Sequence, residues 1–291
     1  MSWGRICRPI DQQVRFKYHL HNFIFLMFTD SHCHLTFPEL KENITEIRQA
    51  MQTAQVERAL CICTTLEEFD TVHSLAMTYD NFWCTVGVHP DNENVQEPTT
   101  EHLIKLASRD KVVGIGETGL DYYRLGERTV ADMEWQRERF RVHIRAARLT
   151  GKPLVVHTRS ASEDTLAILQ EEGRNPSEGE HAQGVFHCFT ESLSVARAAL
   201  DLGFYISFSG VITFKNANDI RDVARFIPLD RLLIETDSPY LAPMPYRGKT
   251  NNPSYVPLVA QKLADIRTET LEMIANASSR NFEQLFTGVN T

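Results

Sequence analysis

His32 and His34 stand two residues apart in Asp30-Ser31-His32-Cys33-His34, so an extended backbone turns both imidazoles to one face. Four further candidate donors follow along the chain: Glu117, His157, His187 and Asp237. Neutral imidazoles combined with carboxylates suit Zn²⁺, Mn²⁺ or related ions, and a binuclear site needs carboxylates to offset the added positive charge. In this reading His32 and His34 chelate one divalent cation, and Glu117 bridges to a second held by His157 and His187. Asp237 completes the first site and faces the water between the two ions. Such a pair lowers the pKa of that water and clamps both oxygens of an in-line phosphoryl displacement. Mg²⁺ prefers oxygen ligands, so the donor set leaves the choice among Zn²⁺, Mn²⁺ and Mg²⁺ open.

Taken singly, each residue also has a structural reading. A strand-end histidine is often satisfied in the core, Glu117 could cap a helix, and Asp237 before Ser-Pro could form a turn. Their common placement argues otherwise. Short apolar runs recur at Phe28–Ser31, Arg58–Cys63, Phe82–Val88, Val112–Gly116, Leu154–His157, Gly184–His187, Phe204–Ser207 and Leu232–Glu235. They show little polar alternation, as expected of strands buried on both faces. Between them lie longer stretches with apolar residues at three- and four-residue spacing, such as ITEIRQAMQTAQ and ADMEWQRERFRVHIRAARLTG. Eight strand–helix units over this length match the ~250 residues of a TIM barrel, an α/β fold whose active sites lie at the carboxyl ends of the strands. All six candidates fall at such ends. A closed (β/α)₈ barrel gathers the ends of strands one, four, five, six and eight around one mouth, whereas an open sheet would scatter them.

The chain has 291 residues and a formal net charge of −8, so it lacks the basic footprint of a protein that coats nucleic acid. A nuclease remains compatible, provided it grips its substrate locally. No linker, charge block or repeat divides the sequence, and one domain over 27–291 is expected. Residues 1–26 differ from the rest, with Arg5, Arg8, Arg15 and Lys17 against Asp11, and read as an extension outside the fold. The apolar stretch Phe23 to Phe28 falls well short of the ~20 residues a membrane span requires. The six cysteines form no CxxC pair and no disulfide framework, which fits a reducing compartment and a cytoplasmic enzyme. Cys61 and Cys63 should point together into the core, and Cys33 and Cys188 read as packing residues. His19, His21, His73, His102, His143 and His181 lie away from strand ends and read as structural or exposed.

In its ordered motifs the chain resembles the TatD-type family of metal-dependent deoxyribonucleases, within the amidohydrolase-like barrels. These are Thr29-Asp30-Ser31-His32-Cys33-His34-Leu35, Gly87-Val88-His89-Pro90, Gly116-Glu117-Thr118-Gly119-Leu120-Asp121-Tyr122-Tyr123, His157-Thr158-Arg159, His187-Cys188-Phe189-Thr190, Glu235-Thr236-Asp237-Ser238-Pro239-Tyr240-Leu241 and Arg247-Gly248-Lys249. The resemblance runs from Phe28 to Phe286 and implies a two-metal phosphodiesterase that removes nucleotides from DNA with 3′→5′ polarity, as in some members. It maps the metal-ligand positions onto His32, His34, Glu117, His157, His187 and Asp237, and sets His89 near the substrate. Residues 251–253 depart from the pattern, reading Asn-Asn-Pro where relatives often carry a longer side chain before the proline.

For DNA, as a single strand or a 3′ end, the candidate contacts are Arg124, Arg159, Lys215, Arg247 and Lys249, all placed after strands. Tyr122, Tyr123 and Phe214 are candidates for stacking on an end base. The expected enzyme is a monomer in which Asp237 orients or deprotonates the attacking water. Two rivals stay open: a binuclear amidohydrolase acting on a small amide, lactone or ester, and a metal-binding scaffold without catalysis.

Overall fold

The computed structural model describes Met1, residues 26–175 and residues 180–289. Apart from Met1 and Leu26, the extension expected at 1–26 lies outside the described residues, as do His19 and His21. Eight parallel strands form one sheet: β1 (Phe28–Cys33), β2 (Val56–Cys61), β3 (Phe82–Val86), β4 (Val112–Asp121), β5 (Leu154–Arg159), β6 (Gly184–Phe186), β7 (Tyr205–Phe208) and β8 (Leu232–Ile234), hydrogen-bonded in that order. The helices that alternate with them are α1 (Ile44–Thr53), α2 (Phe69–Thr78), α3 (Thr100–Ala107), α4 (Glu134–Thr150), α5 (Ser162–Glu172), α6 (Leu193–Asp201), α7 (Asn218–Phe226) and α8 (Val256–Arg267), followed by α9 (Leu271–Leu285). This is the TIM barrel expected from the alternation of short buried runs and amphipathic stretches.

Local chemistry accounts for the helix ends. The hydroxyls of Thr99, Ser192 and Thr270 accept from backbone N–H groups of the first turns of α3, α6 and α9. Helix α4 buries Phe140, Ile144 and Ala147 on one stripe and ends at Gly151, whose φ of +66° suits glycine. Its outer face carries Glu134, Glu138 and Arg145, with Arg145 bridging to Glu172 of α5 at 2.6 Å.

The alternation of strand side chains splits the core in two. Cys61, Cys63, Cys84, Val86 and Ile115 face outward and pack against the helices, and Cys61 and Cys63 share this face as expected. Leu60, Ile62, Val113, Val155, Val185 and Leu233 face inward and fill the barrel with Phe282, Leu285 and Phe286 of α9 and its end. This last helix is pinned under the barrel. Ser279 Oγ donates to the carbonyl of Met27, and Asn281 Nδ2 donates to those of Leu229 and Leu232. The anchors sit where β1 and β8 begin, so α9 closes the amino-terminal end.

At the opposite end the seam between β1 and β8 is closed by the segments that carry the candidate ligands. Cys33 and Ser238 form a parallel bridge, Asp237 N–H donates to the His32 carbonyl at 2.9 Å, and His34 N–H donates to that of Ser238 at 2.8 Å. Among the described residues no helix is long and apolar enough to cross a membrane.

Candidate metal centre

The mouth of the barrel gathers all six predicted donors within a few ångströms. Glu117, on β4 and only 3% exposed, stands at the middle, and its two oxygens divide the cluster. Oε2 lies 3.4 Å from His32 Nε2 and 3.7 Å from His34 Nε2, and Asp237 Oδ1 lies 3.7 and 3.4 Å from the same two nitrogens. Oε1 faces His187 Nε2 at 2.8 Å and His157 Nδ1 at 3.3 Å. His89, anticipated as a substrate contact, places its Nε2 3.4 Å from this same oxygen and forms a ligand-capable group with Glu117 and His157.

Two carboxylates behind the histidines had no assigned role from the sequence. Asp121 Oδ2 lies 3.0 Å from His157 Nε2, and Glu235 Oε1 lies 3.3 Å from His187 Nδ1. Each of these imidazoles therefore presents one nitrogen to Glu117 and rests the other on an acid, the arrangement that orients metal-binding histidines. Asp121 shares a strand face with Glu117, four residues on, and Glu235 is two before Asp237. That even spacing was the available signal.

Electrostatics sorts the protons. Burial alone would raise Glu117, yet His187, His89 and His32 hold its carboxyl well below the usual range. Asp237 is likewise lowered against its burial, chiefly by a hydrogen bond from His34. Burial works to lower His187, but Glu117 and Glu235 overcome it and raise this imidazole well above its ordinary value. His32 and His89 are lowered, mainly by burial. Ionised carboxylates amid imidazoles, some already biased to the neutral form, are a donor set that would suit a divalent cation, and binding would release the remaining protons. His187 Nε2 decides the fit: it is buried, aimed at the cluster centre, and lacks a hydrogen bond of good geometry. Its other nitrogen is committed to Glu235. The thiols of Cys33 and Cys188 are pushed well up by burial and stay protonated, in keeping with packing roles.

The loops that present these groups are held from behind. Val88 N–H donates to His143 Nε2 at 3.0 Å, and His143 Nδ1 donates in turn to the Arg139 carbonyl. Arg139 Nη1 donates to the carbonyls of His89 and Asn92, so two residues one turn apart on α4 clamp the loop bearing His89. On the other side, Asn251 Nδ2 donates to the carbonyls of Thr236 and Tyr240 at 2.9 and 2.7 Å. These bonds bracket Asp237, which adopts the left-handed region at φ +53°. The unusual Asn-Asn-Pro stretch thus contributes a buried support for the turn that carries Asp237.

A cavity of about 700 Å³ opens over the cluster. Arg124, Arg159 and His89 line it; Arg247 and Lys249 stand outside the lining, over the rings of Phe214 and Tyr246 respectively. Tyr122 is buried and its hydroxyl donates to Asp164, so its ring is not offered to a ligand.

A family model described as TatD related DNase matches residues 29–287. The chain belongs to the TatD-related DNase family. A relative from Escherichia coli K12, named uncharacterized metal-dependent hydrolase YcfH, is 44% identical over 265 residues, covering 90% of this chain and 96% of its own. A protein from Escherichia fergusonii, named 3′-5′ ssDNA/RNA exonuclease TatD, is 32% identical over 258 residues, covering 87% and 96%. The crystal structure of YJJV, a TatD homologue from E. coli K12, superposes with a TM-score of 0.81 at 29% identity, covering 90% of this chain and 99% of that one. This TatD-family chain is a metal-dependent hydrolase, and its clustered histidines and carboxylates are the candidate metal-binding groups.

Proposed function

We propose that this hydrolase cleaves phosphodiester bonds in DNA, removing nucleotides from the 3′ end of a single strand with the help of two divalent cations. The division of the donors by the two oxygens of Glu117 carries the reading. One set, His32, His34 and Asp237, lies toward Oε2, while His157, His187 and His89 lie toward Oε1. The name of the E. fergusonii relative supports a nucleic-acid substrate.

Cations bound there supply Lewis acidity toward the phosphoryl oxygens and lower the pKa of water. Asp237, ionised at neutral pH, orients the attacking water and accepts its proton. Glu117 holds the two donor sets at a fixed spacing, and Asp121 and Glu235 keep the imidazoles of His157 and His187 turned toward it. Arg159 and Arg124, on the cavity wall, offset the charge of the substrate phosphate.

The decisive assay uses 5′-labelled single-stranded DNA, the chelated full-length protein, and Zn²⁺, Mn²⁺ or Mg²⁺ restored one at a time. Wild type should shorten the strand stepwise from the 3′ end only with metal, and Asp237→Asn should not. If wild type holds metal by elemental analysis and leaves the strand intact, the nuclease reading fails and a small amide, lactone or ester becomes the substrate to test.

A further inference from the structure

The walls of the cavity differ in chemistry on its two sides. Because the strands run in ring order, the loops after β1 and β8 adjoin one another and lie across the mouth from those after β4 and β5. Phe37 follows β1 and Tyr240 follows β8, and their rings meet edge-on at 6.3 Å between centroids. Phe37 also stacks on His34 at 4.6 Å. Both aromatic rings line the cavity, and Tyr240 is 51% exposed, so its ring stands open beside the ligand cluster with Phe37 backing its edge. The far wall is cationic. Arg124 is exposed there, and the Arg159 guanidinium lies 3.7 Å over the ring of Tyr123. Glu117 and Asp237 line the same cavity.

From this we infer that the Phe37–Tyr240 wall is the stacking site for the unpaired terminal base, while Arg124 and Arg159 hold the phosphates of the strand yet to be cut. The inference rests on the proposed nuclease activity and adds what that activity selects. Every base has a π-face, so an aromatic wall recognises any base and requires only that it be free to stack. A cavity of about 700 Å³ is of the size that encloses one small ligand, which suits a single nucleotide. The hydrolase then prefers a frayed or single-stranded end, tolerates sequence, and discriminates against an end that has lost its base.

The sequence offered Tyr122, Tyr123 and Phe214 for this role. Tyr122 is buried, Tyr123 lies under Arg159, and Phe214 lies under Arg247. Tyr240 presents an open ring in the cavity, and among the described residues no cation stacks on it.

The test compares two single-stranded oligonucleotides that differ only in the terminal 3′ nucleotide, one normal and one abasic. Wild type should cleave the normal end with kcat/KM about 10-fold higher or more, the range that base–aromatic stacking supports. Tyr240→Phe should keep that ratio, and Tyr240→Ala should bring it toward one. Equal cleavage of both ends by wild type overturns the inference and leaves the nuclease activity standing. A ratio preserved in Tyr240→Ala overturns it as well, since the base would then be read elsewhere. Cleavage of neither end, with metal bound, removes the nuclease reading and this inference together.

Discussion

Asp30 and Thr236 are buckled together across the seam of the barrel: Thr236 donates its N–H to Asp30 Oδ1 at 2.9 Å and its hydroxyl to Oδ2 at 2.5 Å. Asp30 lies two residues before His32 and Thr236 one before Asp237, so the buckle registers ligands from the first and last strands against each other. Both residues are fully buried. Asp30→Ala takes the acceptor from three buried donors, the two on Thr236 and the His32 N–H, which should lower stability by about 2–5 kcal/mol. Asp30→Asn keeps an acceptor and a polar partner and should lose far less. Urea unfolding at unchanged m-value reads the difference, and equal midpoints for the two variants would show that the buckle contributes little.

Asp121 and Glu235 act on the cluster through the histidines they support. Asp121→Asn and Glu235→Gln should each weaken metal affinity by roughly 10–100-fold. Competition with a chromogenic chelator measures this independently of turnover. Affinities equal to wild type would mean that the imidazoles are oriented by packing alone.

Acid should loosen the His89 loop. Burial, the main cause, lowers the His143 imidazole to about 4 from an ordinary 6.5. A depressed folded pKa means that the stabilisation is whole above pH 6.5 and is lost as pH falls toward 4, in total about 3 kcal/mol. Protonation would also take the acceptor from Val88 N–H. Plotting unfolding free energy against pH for wild type and His143→Gln should give curves that converge over that window. Parallel curves would contradict the assignment.

Metal should stabilise the fold as well as enable turnover. At a free concentration near 100 times Kd a divalent cation adds about 2.7 kcal/mol. For a chain of this size that corresponds to a Tm shift of roughly 4–5 °C on restoring Zn²⁺ or Mn²⁺ after chelation. Asp237→Asn should shrink the shift. A Tm indifferent to metal would mean that the donors do not bind it under those conditions.

How far the site could be read from the sequence depended on what each residue's position determines. His32, His34, His157 and His187 were readable because a buried strand announces itself by its apolar run, and the barrel dictates where its carboxyl end points. Asp121 was harder. The run Val112–Gly116 carries the β signature, but β4 continues to Asp121 through Glu117-Thr118-Gly119-Leu120. The continuation depends on close approach: a Cβ on Gly119, at φ +129°, would fall 1.9 Å from the His157 carbonyl oxygen. Such a contact belongs to the partner strand and leaves no mark on local propensity. Arg247 and Lys249 were placed at the correct end of the barrel, but loop residues take their direction from neighbours, and Phe214 and Tyr246 turn them aside. Tyr240 is the converse case: the turn that Asn251 holds leaves its ring exposed, a direction no local propensity encodes.

The helix seated beneath the barrel sets a traffic rule. With Phe282, Leu285 and Phe286 stoppering the amino end, the described residues leave the barrel one doorway, at the carboxyl mouth. Whatever is released there must back out past the point at which the next substrate enters. Departure and arrival therefore share one opening.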